Sequence, residues 1–530
     1  MRPQGAAALA GIVAVGVAIA VGELAAGLVA AIPSPVDAIG QTLIPRFPGS
    51  VTSWAIDTFG VANRAVLTSG IVLVALLIGA YAGTAGRRHL ATPVLLFGGF
   101  AALGVLTAQG QPGAAVVPVT LGLGVAAAAG LVLLRWILAR VDEDAARALA
   151  DARDTQEPGT SSSTAPSTDG TVVTVPRRTV VATAGVAALG AVVAGSFGRW
   201  VLGGGVTAEP SELSLPRPQS SLPPVTPAVD ASGRIEGLSP ILTPTDRFFR
   251  IDTALSVPRV DPSTWSLRVS GMVDRPLELS LEDLLAEPMS EIDATIACVS
   301  NPVGGDLIGT ARWLGTPLAD LLDRAGVQDA ATQIVGRSVD GWTAGFPTEL
   351  AFDGRDAIVA IAMNGEPLPA RHGFPARLIV PGLFGYVSAT KWLQEIELTT
   401  WEGFDAYWVP RGWAKEGPVK TGARIDVPRL GERLPAGEVV VAGVAWAPIR
   451  GIRGVEVRVD DGPFQPAELI EPLSDQTWVQ WTATVAVPQG DRSLQVRAID
   501  GDGVVQPQGP RPPAPDGAEG WHRRSIRVGD

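Results

Sequence analysis

The sequence predicts an α-helical membrane anchor of about five spans, followed by an α+β domain and an all-β, immunoglobulin-like sandwich. Hydrophobic residues make up 46% of the 530 residues, yet charged residues are frequent in the second half, so the apolar excess must lie in the first. Residues 241–430 alternate short β-type runs with helical runs, whereas residues 436–530 show strand patterns alone. The chain should therefore combine a membrane part with a part that buries its own cores.

Five apolar stretches are long enough to cross about 30 Å of hydrocarbon at about 1.5 Å per helical residue. They lie near residues 6–31, 65–85, 90–109, 114–138 and 180–202. If every stretch spans, most arginines near the ends, including the Arg87-Arg88 pair, fall on one side. Cytoplasmic loops retain such residues, so this is the cytoplasmic side. The N-terminus is then cytoplasmic, and everything beyond about residue 204 lies outside.

Composition divides the first half further. Residues 1–140 hold the first four spans, and the polar residues 141–178 are predicted to be a disordered cytoplasmic linker. The linker ends in Arg177-Arg178, before the fifth span at residues 179–204. This pair is either part of a twin-arginine export signal or an ordinary positive-inside anchor, and the sequence leaves both open. Residues 205–240, rich in Pro and Ser, are predicted to be a spacer.

Composition also excludes several classes of protein. A net charge of -12 and the lack of a clustered basic face argue against a nucleic-acid partner. One cysteine, Cys298, cannot form an intramolecular disulfide. With only His89, His372 and His522 beside it, an all-protein zinc, iron–sulfur or bis-histidine haem site is hard to build. The single thiol therefore needs another explanation.

Cys298 follows an apolar strand-like run and precedes Val-Ser-Asn-Pro, a turn-forming sequence. A buried free cysteine is often only a small hydrophobic residue. A loop at the end of a strand is, however, where proteins display functional groups. Position thus favours a functional thiol, whereas the usual role of a buried free cysteine favours a structural one.

Basic residues mark two further segments. His372, Arg377 and Lys391 flank an apolar strand and a glycine-bearing loop, a layout that suits binding of an anionic, phosphorylated ligand. The alternative is a turn hydrogen bond for the histidine and solvated positions for the other two. Arg250 and Arg312 adjoin aromatic residues, which indicates either surface cation–π pairs or an oxyanion pocket.

Taken in order, these segments resemble the sulfite oxidase type of molybdopterin oxidoreductases over about residues 241–528. Each match alone is weak, but the order of the series is specific. The motifs are Phe248-Phe-Arg250, the cysteine loop, Thr310-Ala-Arg-Trp-Leu-Gly315, Met363-Asn-Gly-Glu-Pro-Leu-Pro369, His372-Gly-Phe-Pro-Ala-Arg377, Lys391-Trp-Leu393, Arg424-Ile-Asp-Val-Pro428 and, in the sandwich, Ala445-Trp446 and Gly520-Trp521-His522.

The resemblance implies a molybdenum–molybdopterin cofactor with Cys298 as the thiolate ligand of the metal, a role that suits soft sulfur. It also implies pairing of two copies through the C-terminal domain. The positions that align with the family's pterin and phosphate site are Phe249, Arg250, Asp252, Asp340, His372, Arg377, Ala389, Thr390 and Lys391. Arg250, Arg312 and Arg450 match arginines around the substrate oxyanion.

One catalytic position departs from the family. Trp342, before Pro347, stands where sulfite oxidases place an active-site tyrosine. An indole N–H donates a hydrogen bond but does not exchange a proton usefully, which weakens the case for sulfite as the substrate. The sequence also shows no counterpart of the family's attached haem domain, so a separate membrane or soluble electron carrier is expected.

The expected function is therefore two-electron oxygen-atom transfer on a small oxyanion or S-oxide, at the outer face of the cell membrane. A reductase of methionine sulfoxide or other S-oxides, fed by a membrane donor, is the enzymatic alternative. A non-catalytic membrane scaffold that retains the fold is the alternative from another class. Elemental analysis for molybdenum separates the scaffold from both enzymes.

Overall fold

The computed structural model describes residues 3–154 and 213–529, apart from residues 30, 49–50, 52–53, 56–57, 60–61 and 112–113, together with isolated positions between 185 and 200. The chain forms two compact units. The first comprises Met1–Ala208 with the short segment Ala254–Arg259, and the second comprises Glu209–Thr253 and Val260–Asp530.

The first unit is helical. Its helices are α1 (Pro3–Leu28), α2 (Pro35–Leu43), α3 (Asn63–Gly86), α4 (Ala91–Ala108) and α5 (Val116–Asp154). All but α2 are long and apolar enough to cross a membrane. The first four predicted spans are thus confirmed as helices suited to spanning. The fifth, residues 180–202, lies outside the described residues except for a few positions, and so does Arg177-Arg178.

Helix α5 corrects one boundary of the prediction. It continues to Asp154, so residues 141–154 of the predicted disordered linker are helical. Charges at helical spacing explain this, because Arg147 pairs with Glu143 one turn earlier and with Asp144. The remainder of the predicted linker, residues 155–178, lies outside the described residues.

The first part of the second unit is α+β, as predicted. Its strands are β1 (Ser266–Gly271), β2 (Leu277–Ser280), β3 (Ser290–Ala297), β4 (Ile308–Pro317), β5 (Gln333–Ser338), β6 (Thr343–Pro347), β7 (Ile358–Met363), β8 (Glu366–Pro367), β9 (Arg377–Ile379) and β10 (Leu393–Thr399), with helices α6 (Leu281–Ala286), α7 (Leu318–Ala325) and α8 (Gly385–Ser388). One sheet has the order β2-β1-β10-β5-β6. The other has the order β3-β4-β7-β8, and β9 also pairs with β7.

The C-terminal part is all-β. Its strands are β11 (Gly422–Val427), β12 (Arg433–Pro435), β13 (Gly437–Trp446), β14 (Ile452–Val459), β15 (Gln465–Pro466), β16 (Glu468–Leu469), β17 (Val479–Val487), β18 (Gly490–Asp500) and β19 (His522–Gly529). They form two sheets, β11-β13-β17-β16 and β12-β19-β18-β14-β15, which share one core that includes Val441, Trp481 and Val496. The immunoglobulin-like topology stays a prediction.

Two domain boundaries differ from the prediction. Strand β11 pairs with β13, so the all-β part begins near Gly422 and not at residue 436. Residues 213–240, assigned to a spacer, belong to the second unit and pack against its cores. Gln219 N donates to Met289 O at 2.8 Å, and Ala231 N donates to the side chain of Gln480 at 2.7 Å. Prolines made this segment look extended, and extended chain can equally follow a folded surface.

Candidate cofactor site

Cys298 lies in a closed loop between β3 and β4. Its N–H donates to Leu307 O at 2.9 Å, and its carbonyl accepts from Asn301 N at 3.0 Å. The side chain of Asn301 accepts from Leu307 N at 2.9 Å, which fastens the two ends of the loop together. The thiol is buried, and burial raises the pKa of Cys298 above its ordinary value. A bound metal ion would reverse that preference by stabilising the thiolate.

The segment after α8 lies beside the end of β3. A Cβ atom on Gly385 would lie 3.6 Å from Ala389 Cβ and 3.7 Å from Ala297 O, one residue before Cys298. Ala389 belongs to the same buried cluster as Ile296. The fold therefore places the Ala389-Thr390-Lys391 segment close to the cysteine.

The same segment runs alongside the turn that carries His372 and Arg377. Leu378 N donates to Thr390 O at 2.9 Å, and Trp392 N donates to Gly373 O at 3.2 Å. Gly373 has φ +115°, and a Cβ there would lie 3.0 Å from Lys391 Cβ. A side chain at this position would be strained and crowded, so glycine allows the close approach.

Arg377 is a buried cation. Its exposed fraction is 6%, its Nη1 donates to His372 O at 3.0 Å, and its guanidinium lies 5.0 Å from the centre of the Trp313 ring. Its Nε has no hydrogen-bond partner, and neither has the buried hydroxyl of Thr390. Burial lowers the pKa of Arg377 to about 9, and no carboxylate counteracts it among the described residues. Such a group is costly unless an anion completes it.

His372 is also buried. Its Nε2 lies 3.1 Å from Thr245 O, and its ring meets the Phe248 ring edge to face at 5.9 Å between centroids. Burial, with help from Arg377, lowers the pKa of His372 to about 4. The imidazole is therefore neutral at pH 7, and Nε2–H can donate to the carbonyl.

An ion-pair network centred on Asp252 joins Arg250 and Lys391 to these site residues. The carboxylate of Asp252, only 1% exposed, pairs with Lys391 and, at 2.5 Å, with Nε of Arg250. Phe249 stacks on Phe248 with centroids 5.2 Å apart. The structure thus brings together eight of the nine residues that the sequence assigns to the pterin site: Phe249, Arg250, Asp252, His372, Arg377, Ala389, Thr390 and Lys391.

Asp340, the ninth, lies in the turn between β5 and β6. Its carboxylate accepts from Trp342 N at 3.1 Å. Val339 N donates to Trp392 O at 2.8 Å, so this turn lies beside the residue that follows Lys391. Trp342 is partly exposed at the same turn.

Arg312 lies apart from this group. Its guanidinium makes two hydrogen bonds with Asp293, at 2.9 and 2.8 Å, and donates to Pro223 O at 2.9 Å. Because side chains alternate along β4, Arg312 projects from the face opposite Trp313. This geometry gives Arg312 a structural contact and does not support its predicted substrate role.

Arg450 lies on the C-terminal side of the cysteine loop. It pairs with Asp500 at 3.2 Å and donates to Thr421 Oγ1 at 3.0 Å. Thr421 lines a cavity of about 30 Å³ together with Asn301 and Gly304 of the cysteine loop. Arg450 is thus close to the loop, through its contact with Thr421.

The sequence did not single out two ring contacts of the site. Phe248 packs on both His372 and Trp313, and Trp313 lies against Arg377. Both rings stood in motifs that carried the resemblance. Their partners, however, lie far along the chain, and no local pattern encodes such pairings.

Comparison with known proteins finds a matching family model, related sequences and a similar solved structure. Residues 254–408 match the family described as "Oxidoreductase molybdopterin binding domain". Mitochondrial sulfite oxidase of Homo sapiens is 31% identical, with 50% of this chain and 57% of that protein covered. Sulfite oxidase of Gallus gallus is 31% identical, with 51% and 69% covered. The sulfane dehydrogenase SoxCD of Paracoccus pantotrophus, a solved structure, is 24% identical with a TM-score of 0.48, covering 57% of this chain and 83% of that one.

The chain belongs to the sulfite oxidase type of molybdopterin-dependent oxidoreductases. It spans 57% of the length of the human relative. The donor set fits the cofactor that this family implies. The unpartnered Nε of Arg377 and hydroxyl of Thr390 are the groups that a bound phosphate would satisfy.

Proposed function

We propose that this protein is a membrane-anchored molybdenum oxidoreductase that transfers an oxygen atom, with two electrons, to or from a small oxyanion or S-oxide outside the cytoplasm. The observation that carries the proposal is that the domain buries both a thiol, that of Cys298, and a guanidinium, that of Arg377, which lacks an acidic partner in the described chain. A metal explains the first and a phosphate explains the second. One cofactor, molybdopterin-bound molybdenum, supplies both.

When bound, the cofactor supplies the two-electron chemistry, and the chain supplies position and charge. Cys298 would hold the metal, while Arg377, Thr390 and Lys391 would hold the phosphate. The neutral His372 would donate without adding charge. Arg250, with a partly exposed side chain, would be the cation that orients an anionic substrate.

Trp342 bears on the substrate class. An indole cannot act as the acid or base that a tyrosine hydroxyl provides. The second enzymatic candidate, a reductase of methionine sulfoxide or other S-oxides, differs in the direction of electron flow. Assays of purified protein with sulfite plus an electron acceptor, and with S-oxides plus a reduced donor, separate the two.

The electron carrier is proposed to be a membrane component. The helices of the first unit surround an apolar cavity of about 630 Å³, with Val15, Gly22, Val36, Phe97 and Phe100 among its lining residues. A volume of this size is typical of small-molecule sites. Removing residues 1–176 would abolish electron supply in membranes; unchanged supply would leave the helices as an anchor only.

The direct test is the metal and pterin content of the native protein. We expect about one molybdenum and one pterin per chain. A preparation that contains neither, from cells able to make the cofactor, would favour a non-catalytic scaffold.

Substitution of the metal ligand gives the matched functional test. Cys298→Ser is expected to lower molybdenum-dependent turnover by at least about a thousandfold, because a hydroxyl replaces the soft sulfur ligand. Asp306→Asn, at an exposed position in the same loop, is the control and should retain turnover. Full activity of Cys298→Ser would contradict the assignment.

A further inference from the structure

Two motifs of the C-terminal sheets meet at the cysteine loop, residues 298–307. Arg424 on β11 donates from Nη1 to Gly305 O at 2.8 Å. His522, the first residue of β19, places its ring against Gly304. The loop that carries the only thiol of the chain is therefore held from a different domain.

The histidine contact leaves no room for a side chain. A Cβ atom on Gly304 would lie 2.3 Å from His522 Cδ2 and 2.4 Å from Nε2. The ring cannot turn aside freely, because its Nδ1 accepts a hydrogen bond from Ile425 N at 2.9 Å. Gly304 also has φ +77°, a conformation that favours glycine.

All three nitrogen atoms of the Arg424 guanidinium make hydrogen bonds that fix the side chain. Its Nε pairs with Asp426 at 2.7 Å and its Nη2 donates to Ser239 Oγ at 2.8 Å, in addition to the bond with Gly305. The residue is 8% exposed. A buried guanidinium that donates from each of its three nitrogens holds its acceptors in one geometry.

The contacts at the tip of the loop connect to Cys298 in two steps. Gly305 N donates to Pro302 O at 2.9 Å, which joins the tip to the turn that begins at Asn301. Asn301 and Leu307 in turn make the backbone hydrogen bonds of Cys298. Displacement of Gly304 and Gly305 would therefore loosen the groups that orient the thiol.

We propose that Arg424 and His522 form a clamp on the cysteine loop and act as positioning residues for Cys298. The clamp fixes the sulfur where a metal would meet it, so the C-terminal domain forms part of the metal site. The catalytic consequence rests on the proposed function, whereas the mechanical consequence, a restrained thiol, does not.

Because Cys298 is the only cysteine, its alkylation rate reports on this loop alone. The full-length protein is purified in detergent from cells deprived of molybdenum, and its reaction with iodoacetamide is followed by mass spectrometry. His522→Ala is expected to speed alkylation by about tenfold, because the loop opens more often. His522→Asn, whose side-chain oxygen can still accept from Ile425 N, should restore much of the protection.

Two further variants keep the test independent of folding defects. Arg424→Lys retains the charge beside Asp426 but loses the forked contact, and should also speed alkylation. Arg527→Ala, on the same strand as His522 and in an exposed pair with Asp491, is the control and should leave the rate unchanged. Unchanged alkylation in both His522→Ala and Arg424→Lys, with native melting temperatures, would overturn the clamp.

The metal-loaded protein supplies a second readout. If the clamp positions the sulfur, His522→Ala should shift the thiolate-to-molybdenum absorption band and lower kcat with little change in KM. An unshifted band with unchanged kcat would contradict the proposal. If the native protein holds no molybdenum, the proposed function fails, and the alkylation rates still decide whether the clamp exists.

Discussion

At the residue scale, Arg377 is the most informative residue, because its charge is buried without an acidic partner among the described residues. Arg377 is 6% exposed, stacks on Trp313 and leaves Nε unbonded. Folding alone gains little from such an arrangement, since an aliphatic side chain of similar volume would avoid the desolvation cost. The position makes sense as a binding site whose anion arrives with the cofactor.

Replacing Arg377 should therefore lower the cofactor content of the protein but raise the stability of its cofactor-free form. Arg377→Met should lower the pterin and molybdenum content of the purified protein by at least about tenfold. In cofactor-free protein the same change should raise the free energy of unfolding by about 1–3 kcal/mol, because it removes an uncompensated buried charge. Arg453→Met, at an exposed position on β14, serves as the control and should change neither quantity. Loss of stability without loss of cofactor would show that Arg377 is structural.

The ring of His522 should make the stability of the protein depend on pH. Burial, followed by the charges of Arg524 and Arg424, lowers the pKa of His522 to about 4 from 6.5. The unfolded chain then binds more protons than the folded chain between these values, so stability rises with pH through that window. Its contribution is complete above pH 6.5 and is lost as the pH falls to 4. Chemical denaturation at pH 4.5 and 7 should show a smaller loss for His522→Asn than for the wild type.

At the scale of elements, strand β3 connects the two parts of the second unit. Ile292, Ala294 and Ile296 face the cluster around Trp313, while Thr295 on the opposite face accepts from Trp478 N at 2.7 Å. The indole of Trp478 donates to Ile241 O at 2.7 Å. The strand that leads to Cys298 is thus held by the C-terminal part at Thr295, in addition to the clamp that we propose on the loop after it.

Trp478→Ala tests this connection. The side chain is 2% exposed, so the loss of volume and of the indole hydrogen bond should lower the free energy of unfolding by about 3–5 kcal/mol. Trp401→Ala, at a partly exposed position, should cost less. Urea denaturation of both variants measures the difference, and equal losses would remove Trp478 from its linking role.

The elements also show what the sequence can and cannot predict. Length and apolarity suffice for the four helices, and strand patterns suffice for the two kinds of sheet. The helical residues 141–154 were missed because their charges suggested a solvated linker. The residues that the resemblance implies for the pterin site lie near one another in the structure, whereas Arg312, which it implies for the substrate oxyanion, lies apart from them. Which face of a strand a residue occupies depends on register with distant partners, and that information is not local.

At the scale of the whole molecule, the two units differ in composition and in the kind of core they form. Four helices of the first unit suit hydrocarbon by length and composition. The second unit contains extensive apolar cores of its own, built largely from strands. Pairing of two copies through the C-terminal sheets stays a prediction, which the mass of the detergent-purified protein by light scattering would test.

The orientation of the chain is the last prediction. Arginines retained on the cytoplasmic side place Arg87-Arg88 inside and the second unit outside. In the cysteine-free background of Cys298→Ser, single cysteines are introduced at His89 and at Glu471, both exposed positions. A membrane-impermeant maleimide added to intact spheroplasts should label Glu471→Cys at once and His89→Cys only after permeabilisation, because charged reagents do not cross the bilayer. The reverse pattern would place the second unit in the cytoplasm, and with it the thiol and the proposed chemistry.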